Sequence, residues 1–203
     1  MGYFASIAVG YLLGCSNLAY YISKAKGVDV QSKGSKNLGA SNATILMGWW
    51  AGIAVAIHDI GKATIAVIIA RLVFPELEFV GAAAGVACVL GHIFPFYLGF
   101  KGGKGFASYL GMTLGLSWKL ALAVGIAIVL VTLISDYIVV GTFTTITAVP
   151  IVLGIAAHSI LLALILSIGS GVILYKHREN IRRLRSGTEI GLRSTVKGEH
   201  RVK

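Results

Sequence analysis

Seven apolar stretches account for most of this chain, near residues 3–22, 51–73, 79–98, 104–116, 117–134, 137–155 and 157–175. A helix crosses the hydrocarbon of a bilayer in about 20 apolar residues, and a helix satisfies its own backbone where no water is at hand. Of 203 residues, 56% are hydrophobic and 13% are charged, against roughly 25% charged in a soluble domain. The expected class is therefore all-α, a polytopic membrane helix bundle of about seven transmembrane helices. The stretch at 104–116 is short enough to be a half-helix or a re-entrant segment. The amino terminus is apolar from the start, with neither a basic leader nor a small-residue cleavage site, and is expected to be the first span.

Charge orients the bundle. If the first span runs outside to inside, one face receives Lys24, Lys26, Lys33, Lys36, Lys101, Lys104 and all nine Lys and Arg residues from Lys176 onward. The other face receives Arg71, Lys119, Glu76 and Glu78. That asymmetry obeys the positive-inside rule and puts the amino terminus outside and the carboxyl terminus in the cytoplasm. The net charge of +10 is then explained by topology and anionic lipid, not by nucleic acid. Residues 1–185 are expected to form one integral membrane domain, and 186–203 a basic cytoplasmic tail. Cys15 and Cys88 lie in apolar stretches with no CxxC spacing, so neither a disulfide framework nor a metal site is indicated. Small-xxx-small patterns at Gly10/Gly14, Gly81/Gly85 and Gly111/Gly115 suit close helix packing.

Three polar islands fall on the cytoplasmic side. The first is SKGSKNLGASN, Ser32 to Asn42. Its glycines allow left-handed backbone, so a loop of this kind can turn N–H groups toward an anion, although ordinary turns share the composition. The second is GHIFPFYLGFKGGKG, Gly91 to Gly105. It is one residue short of a Walker A loop, and Gly105 stands where the Ser or Thr would be. Glycine still permits close approach of backbone to an oxyanion, lysine supplies a point charge, and a helix starting after Gly105 favours an anion at its amino terminus. Lys101 and Lys104 also suit a simple anchoring role, but an anchor needs no flanking glycines. The third is KHRENIRRLRSG, Lys176 to Gly187. His177 and Asn180 share a face if the last helix continues through them, while Arg178, Arg182, Arg183 and Arg185 suit lipid headgroups. Asp59 and Lys62, at i and i+3 inside an apolar stretch, are expected to form a structural ion pair. Thr142, Thr144 and Thr145 offer hydroxyls, though such residues more often bond their own helix.

These islands, in this order and covering nearly the whole chain, resemble the bacterial acyl-phosphate:glycerol-3-phosphate acyltransferase family. The resemblance rests on GSKNLGASN, GHIFPFYLGFKGGKG and HREN. It implies a seven-helix enzyme of the bacterial inner membrane, with its active site on the cytoplasmic side. Such an enzyme moves a fatty acyl group from acyl phosphate to the 1-hydroxyl of glycerol 3-phosphate, giving lysophosphatidic acid and phosphate. Its partners would be these two substrates and membrane lipids, with no cofactor and no obligatory protein partner. It implies catalytic roles for Lys104, His177 and Ser35. Substrate-binding roles go to Gly34, Lys36, Asn37, Gly39, Ser41, Asn42, His92, Lys101, Gly102, Gly103, Gly105, Thr142 and Asn180. The family pattern has Gly where this chain has Lys36, Thr where it has Ser41, and Arg where it has Ile45.

A mixed anhydride has a good leaving group, so charge neutralisation and alignment matter more than a strong nucleophile. No GxSxG elbow is present, and no acyl-enzyme is expected. The acceptor proton goes either to His177 or to a donor phosphate oxygen. Two other readings remain at this stage. The loss of arginine at 45 suits another phosphorylated polyol as acceptor, and the intramembrane charges and short helices also suit a small anion or lipid transporter.

Overall fold

The computed structural model describes residues 1–196, and among them every regular element is helical. The chain forms two compact units, one from Met1 to Ser117 and one from Trp118 onward.

The first unit opens with α1 (Gly2–Cys15) and α2 (Leu18–Ala25), which together make a span of 24 residues. The apolar stretch at 3–22 reads as the first span, and the structure divides it into two helices. The break comes from Asn17, whose side chain accepts the Tyr20 N–H at 3.0 Å and caps α2. Its amide also donates to the Leu38 carbonyl at 3.3 Å, tying the broken span to the first polar island. The short α3 (Ala40–Met47) follows that island, then the 25-residue α4 (Trp49–Val73) and α5 (Val80–Ile93). A 3₁₀ turn, Phe96–Leu98, leads through the glycine-lysine loop into α6 (Phe106–Leu116). At 11 residues α6 is about 16 Å long, roughly half of a hydrocarbon core.

Glycine sets the closest approaches. A β-carbon on Gly14 would lie 2.8 Å from the Cys88 carbonyl carbon, and one on Gly10 would lie 3.0 Å from that of Ala84. Backbone therefore packs on backbone where α1 meets α5. Gly111 meets the backbone of Ile60 in the same way, and draws α6 onto α4.

The second unit contains α7 (Trp118–Ser135), α8 (Ile138–Ala156), α9 (Ile160–Lys176), α10 (Arg178–Arg185) and α11 (Leu192–Val196). Ser159 caps α9 by accepting the Leu162 N–H at 3.2 Å. The last long helix does not continue straight through His177 and Asn180, as the i, i+3 argument assumed. It bends by 54° between α9 and α10. Apolar α9 gives way there to an arginine-rich helix that belongs at a headgroup surface rather than in hydrocarbon. The first part of the expected tail is tied down. The Leu192 N–H donates to the Asp136 carbonyl at 2.7 Å, and the Arg193 N–H to the Asp136 carboxylate at 2.9 Å.

Among the described residues five spans are long and apolar enough to cross a membrane, or six if the bent α9–α10 pair is counted as one span.

Candidate functional site

The first island is a loop built around one asparagine. Asn42 is wholly buried, and its Oδ1 accepts the Ser35 N–H at 2.9 Å. Its Nδ2 donates to the carbonyls of Val30 at 3.1 Å and Lys33 at 3.3 Å. Asn42 thus closes the turn from within. Gly34 takes a φ of +61°, and any side chain there would strike the Asn42 amide. Ser35, Lys36 and Ser41 are exposed on the rim, and Asn37 is half-buried. Gly39 caps α3 in an extended conformation. Lys36 has a φ of 55°, a left-handed conformation that glycine adopts without cost. That is a physical reason for glycine at this position in the family pattern. Asp29 braces the loop's start, accepting the N–H groups of Gln31 and Ser32. Hydrogen bonding from the Ser32 side chain holds its carboxyl below the usual range.

Asn42→Ala is expected to loosen this loop, leaving the Val30 and Lys33 carbonyls and the Ser35 amide without their partner. Each such loss costs about 1–3 kcal/mol when the group stays buried. Thermal unfolding should shift down, and the apparent KM for a phosphorylated acceptor should rise. An unchanged melting profile would show that the loop holds without its central amide.

The second island lies against the first. Gln31 Nε2 reaches the Lys101 carbonyl at 3.5 Å, and Leu98 packs on the cluster that contains Val30, Leu38 and Ala43. Beyond α5 the chain folds back on itself. The Gly102 N–H donates to the Ile93 carbonyl and the Gly103 N–H to the His92 carbonyl, each at 3.1 Å. A β-carbon on Gly102 would lie 2.7 Å from Pro95 Cδ, and one on Gly103 would lie 2.6 Å from His92 Cε1. These two glycines are thus required by packing, and their amides are engaged inside the protein. Lys101 is exposed. Lys104 is half-buried and follows the stapled pair directly. Gly105, at φ +92°, caps α6. The first bond of that helix runs from the Tyr109 N–H to the Gly105 carbonyl, so the amides of its first turn have no intrahelical acceptor. With Lys104 they form a fit place for an anionic oxygen.

Beneath this loop sits a buried cluster only partly foreseen. Asp59 and Lys62 pair at 2.8 Å, and Lys62 Nζ also donates to the Ser16 carbonyl at 2.7 Å and to His92 Nδ1 at 2.9 Å. His58 bridges Asp59 and the Ser16 hydroxyl. The expected ion pair is therefore one part of a network that joins the end of α1, the middle of α4 and the end of α5.

In the second unit, His177 stands at the bend and is 6% exposed. Its Nδ1 donates to the Ile173 carbonyl at 2.8 Å, and its ring lies edge-on to Phe143. A proton on Nδ1 leaves the lone pair on Nε2. Asn180 donates to Glu189 Oε1 at 2.6 Å, and Arg183 holds the other carboxylate oxygen at 2.7 Å. Glu189 was not singled out from sequence, because nine residues separate it from Asn180 and no periodicity links them. Thr142, Thr144 and Thr145 all donate to the carbonyl four residues earlier.

The comparisons with known proteins agree with one another. Residues 4–187 match the family model described as glycerol-3-phosphate acyltransferase. A glycerol-3-phosphate acyltransferase of Geotalea daltonii is 41% identical over 181 residues, covering 88% of this chain and 92% of the relative. The Geobacter sulfurreducens protein of the same name is 40% identical over 188 residues, covering 90% and 93%. Crystal structures of PlsY (YgiH), an integral membrane glycerol 3-phosphate acyltransferase, have the same fold. Its glycerol 3-phosphate form superposes with a TM-score of 0.87 at 33% identity, covering 94% of this chain and 96% of that one. Its lysophosphatidic acid form superposes with a TM-score of 0.85.

Proposed function

The chain belongs to the glycerol-3-phosphate acyltransferase family, and from that membership we propose how it works. It transfers a fatty acyl group from acyl phosphate to the 1-hydroxyl of glycerol 3-phosphate. The hydroxyl oxygen attacks the acyl carbon, the bond from that carbon to the bridging oxygen breaks, and inorganic phosphate leaves with the electron pair. The observation that carries this reading is the family match over residues 4–187, joined to the fold shared with a protein crystallised in a glycerol 3-phosphate form.

Lys104 and the first turn of α6 neutralise phosphate charge. The rim of the Asn42-braced loop, with Ser35, Lys36, Asn37 and Ser41, binds the remaining phosphate and hydroxyl oxygens. His177 takes the hydroxyl proton through Nε2, and Asn180 holds a substrate oxygen. In this account Asn42, Gly102 and Gly103 serve the substrate by shaping loops. The protein is an integral membrane protein, and α6 counts as a short seventh crossing. The amino terminus lies outside and the carboxyl terminus in the cytoplasm of a bacterial inner membrane, as the charge distribution favours. The direct test is acyl transfer by the purified protein with acyl phosphate as donor.

One observation favours a variant of this reading. Ile45 is 46% exposed on α3, where the family pattern has arginine. Lys36, on the same loop-helix element, supplies a charge that the pattern lacks. Lys36→Asn separates charge from backbone, because Asn tolerates the left-handed conformation. It is expected to raise the KM for glycerol 3-phosphate several-fold, and Ile45→Arg in the same background should recover most of that loss, since residues sharing a ligand couple. Wild-type acceptor kinetics in Lys36→Asn would instead make Lys36 a plain surface charge and point to a different phosphorylated polyol.

A further inference from the structure

We propose that the buried pair Asp59–Lys62 fixes the tautomer of His92, so that His92 presents a neutral Nε2–H to a phosphate oxygen at the start of α6. The inference deepens the acyl-transfer reading and rests on it for the identity of the anion. Asp59 and Lys62 are positioning residues, while His92 touches the substrate.

The argument is a count of protons. An ammonium has three donors and no acceptor. Lys62 Nζ lies 2.8 Å from Asp59 Oδ1, 2.7 Å from the Ser16 carbonyl and 2.9 Å from His92 Nδ1. Because an ammonium can only donate, His92 Nδ1 must be the acceptor in its 2.9 Å bond with Lys62. Asp59 Oδ1 also approaches His92 Nδ1, at 3.3 Å. A proton on that nitrogen would point at the ammonium and leave Lys62 one acceptor short, so this approach is a contact and not a donation. With Nδ1 accepting, the neutral ring carries its proton on Nε2.

His58 does the reverse. Its Nδ1 donates to Asp59 at 3.3 Å, and its Nε2 accepts the Ser16 hydroxyl at 3.0 Å. One carboxylate and one ammonium thus hold two imidazoles in opposite tautomers. The side chains of Asp59, Lys62 and His92 are 2%, 5% and 3% exposed, so water does not compete for these bonds.

His92 Nε2 makes no hydrogen bond among the described residues. It lies against Gly103, where a β-carbon would overlap it, one residue before Lys104. An unpartnered donor on a buried ring therefore lies against the loop whose next residues are the lysine and the first-turn amides of α6. A neutral donor suits this place, since it adds a hydrogen bond to an anion without placing a second charge beside Lys62.

Two experiments on the full chain test this. In ¹⁵N-histidine-labelled protein, with the His92 signals assigned from their loss in His92→Gln, Nε2 should be protonated and Nδ1 bare. Titration with glycerol 3-phosphate, and separately with inorganic phosphate, should move the Nε2 signal. A proton on Nδ1, or no response to either ligand, overturns the proposal. Because the tautomer is read without turnover, its failure is distinct from a failure of acyl transfer. In kinetics, the Gln side chain can place an N–H near the Nε2 position and the Asn side chain near the Nδ1 position. His92→Asn should show a KM for glycerol 3-phosphate about tenfold or more above that of His92→Gln, as for one hydrogen bond to a charged partner. The double variant Asp59→Asn/Lys62→Gln, which removes both buried charges together, should mix the His92 tautomers and raise KM more than it lowers kcat. Equal KM values for the Asn and Gln variants, or an unmixed tautomer in the double variant, contradict it.

Discussion

Lys104→Ala is expected to lower kcat/KM for acyl transfer by about 30-fold to several thousand-fold, while the protein still folds and inserts. That range corresponds to the roughly 2–5 kcal/mol lost when a hydrogen-bonded charge is removed from a desolvated pair. The loop geometry makes the loss specific. Gly102 and Gly103 are pinned to the carbonyls of Ile93 and His92, and Gly105 fixes the entry to α6. The position of the lysine is therefore set by backbone on both sides. Lys104→Arg should recover only part of the activity, since a planar guanidinium replaces a compact ammonium. Initial rates over both substrates, on protein whose insertion and melting match wild type, provide the measurement. Near-normal turnover in such a protein would make Lys104 an anchor at the membrane surface.

The second large effect concerns the proton. His177→Asn is expected to lower kcat by about 10²-fold or more, in the range of general-base catalysis, with a smaller change in KM. Asn retains a donor near the Nδ1 position, so the bond to the Ile173 carbonyl and the bend into α10 are preserved, while the lone pair on Nε2 is lost. Arg182→Ala is the control. The Arg182 side chain is 77% exposed and pairs with Glu179 at 3.2 Å on the same helix, a surface contact worth little. A kcat loss in His177→Asn no larger than that in Arg182→Ala would move the proton acceptor to the phosphate of the donor.

Much of this architecture is visible in the amino-acid order, for identifiable reasons. Apolar length marks the spans, because hydrocarbon thickness fixes how many residues a crossing takes. The small-xxx-small pair Gly10 and Gly14 foretells a close helix contact, and the structure puts that contact on the backbone of Ala84 and Cys88. The short apolar stretch after Lys104 becomes an 11-residue helix. The polar islands stand out because lysine, asparagine and glycine are costly or unhelpful in a plain span. What sequence conceals is which partner each polar group finds. Asn42 looks like a ligand until its amide is seen to hold Val30, Lys33 and Ser35. Gly102 and Gly103 look like an anion cradle until their N–H groups are seen on their own chain's carbonyls. Asp59 and Lys62 are legible as an i, i+3 pair, but His92 lies 30 residues from Lys62 and no helical period joins them. The bend at His177 is equally hidden, since an apolar helix and the basic helix after it read as one continuous pattern.

The central claim is acyl transfer from acyl phosphate to glycerol 3-phosphate. Purified protein should be given glycerol 3-phosphate together with acyl phosphate, acyl-CoA or acyl carrier protein carrying the same chain, and both lysophosphatidic acid and released phosphate should be followed. The expected result is one lysophosphatidic acid formed per phosphate released with acyl phosphate, and no direct product from the other two donors. No lipid product from acyl phosphate, with counterflow of the phosphorylated substrate in sealed vesicles instead, would contradict the account and make the protein a transporter.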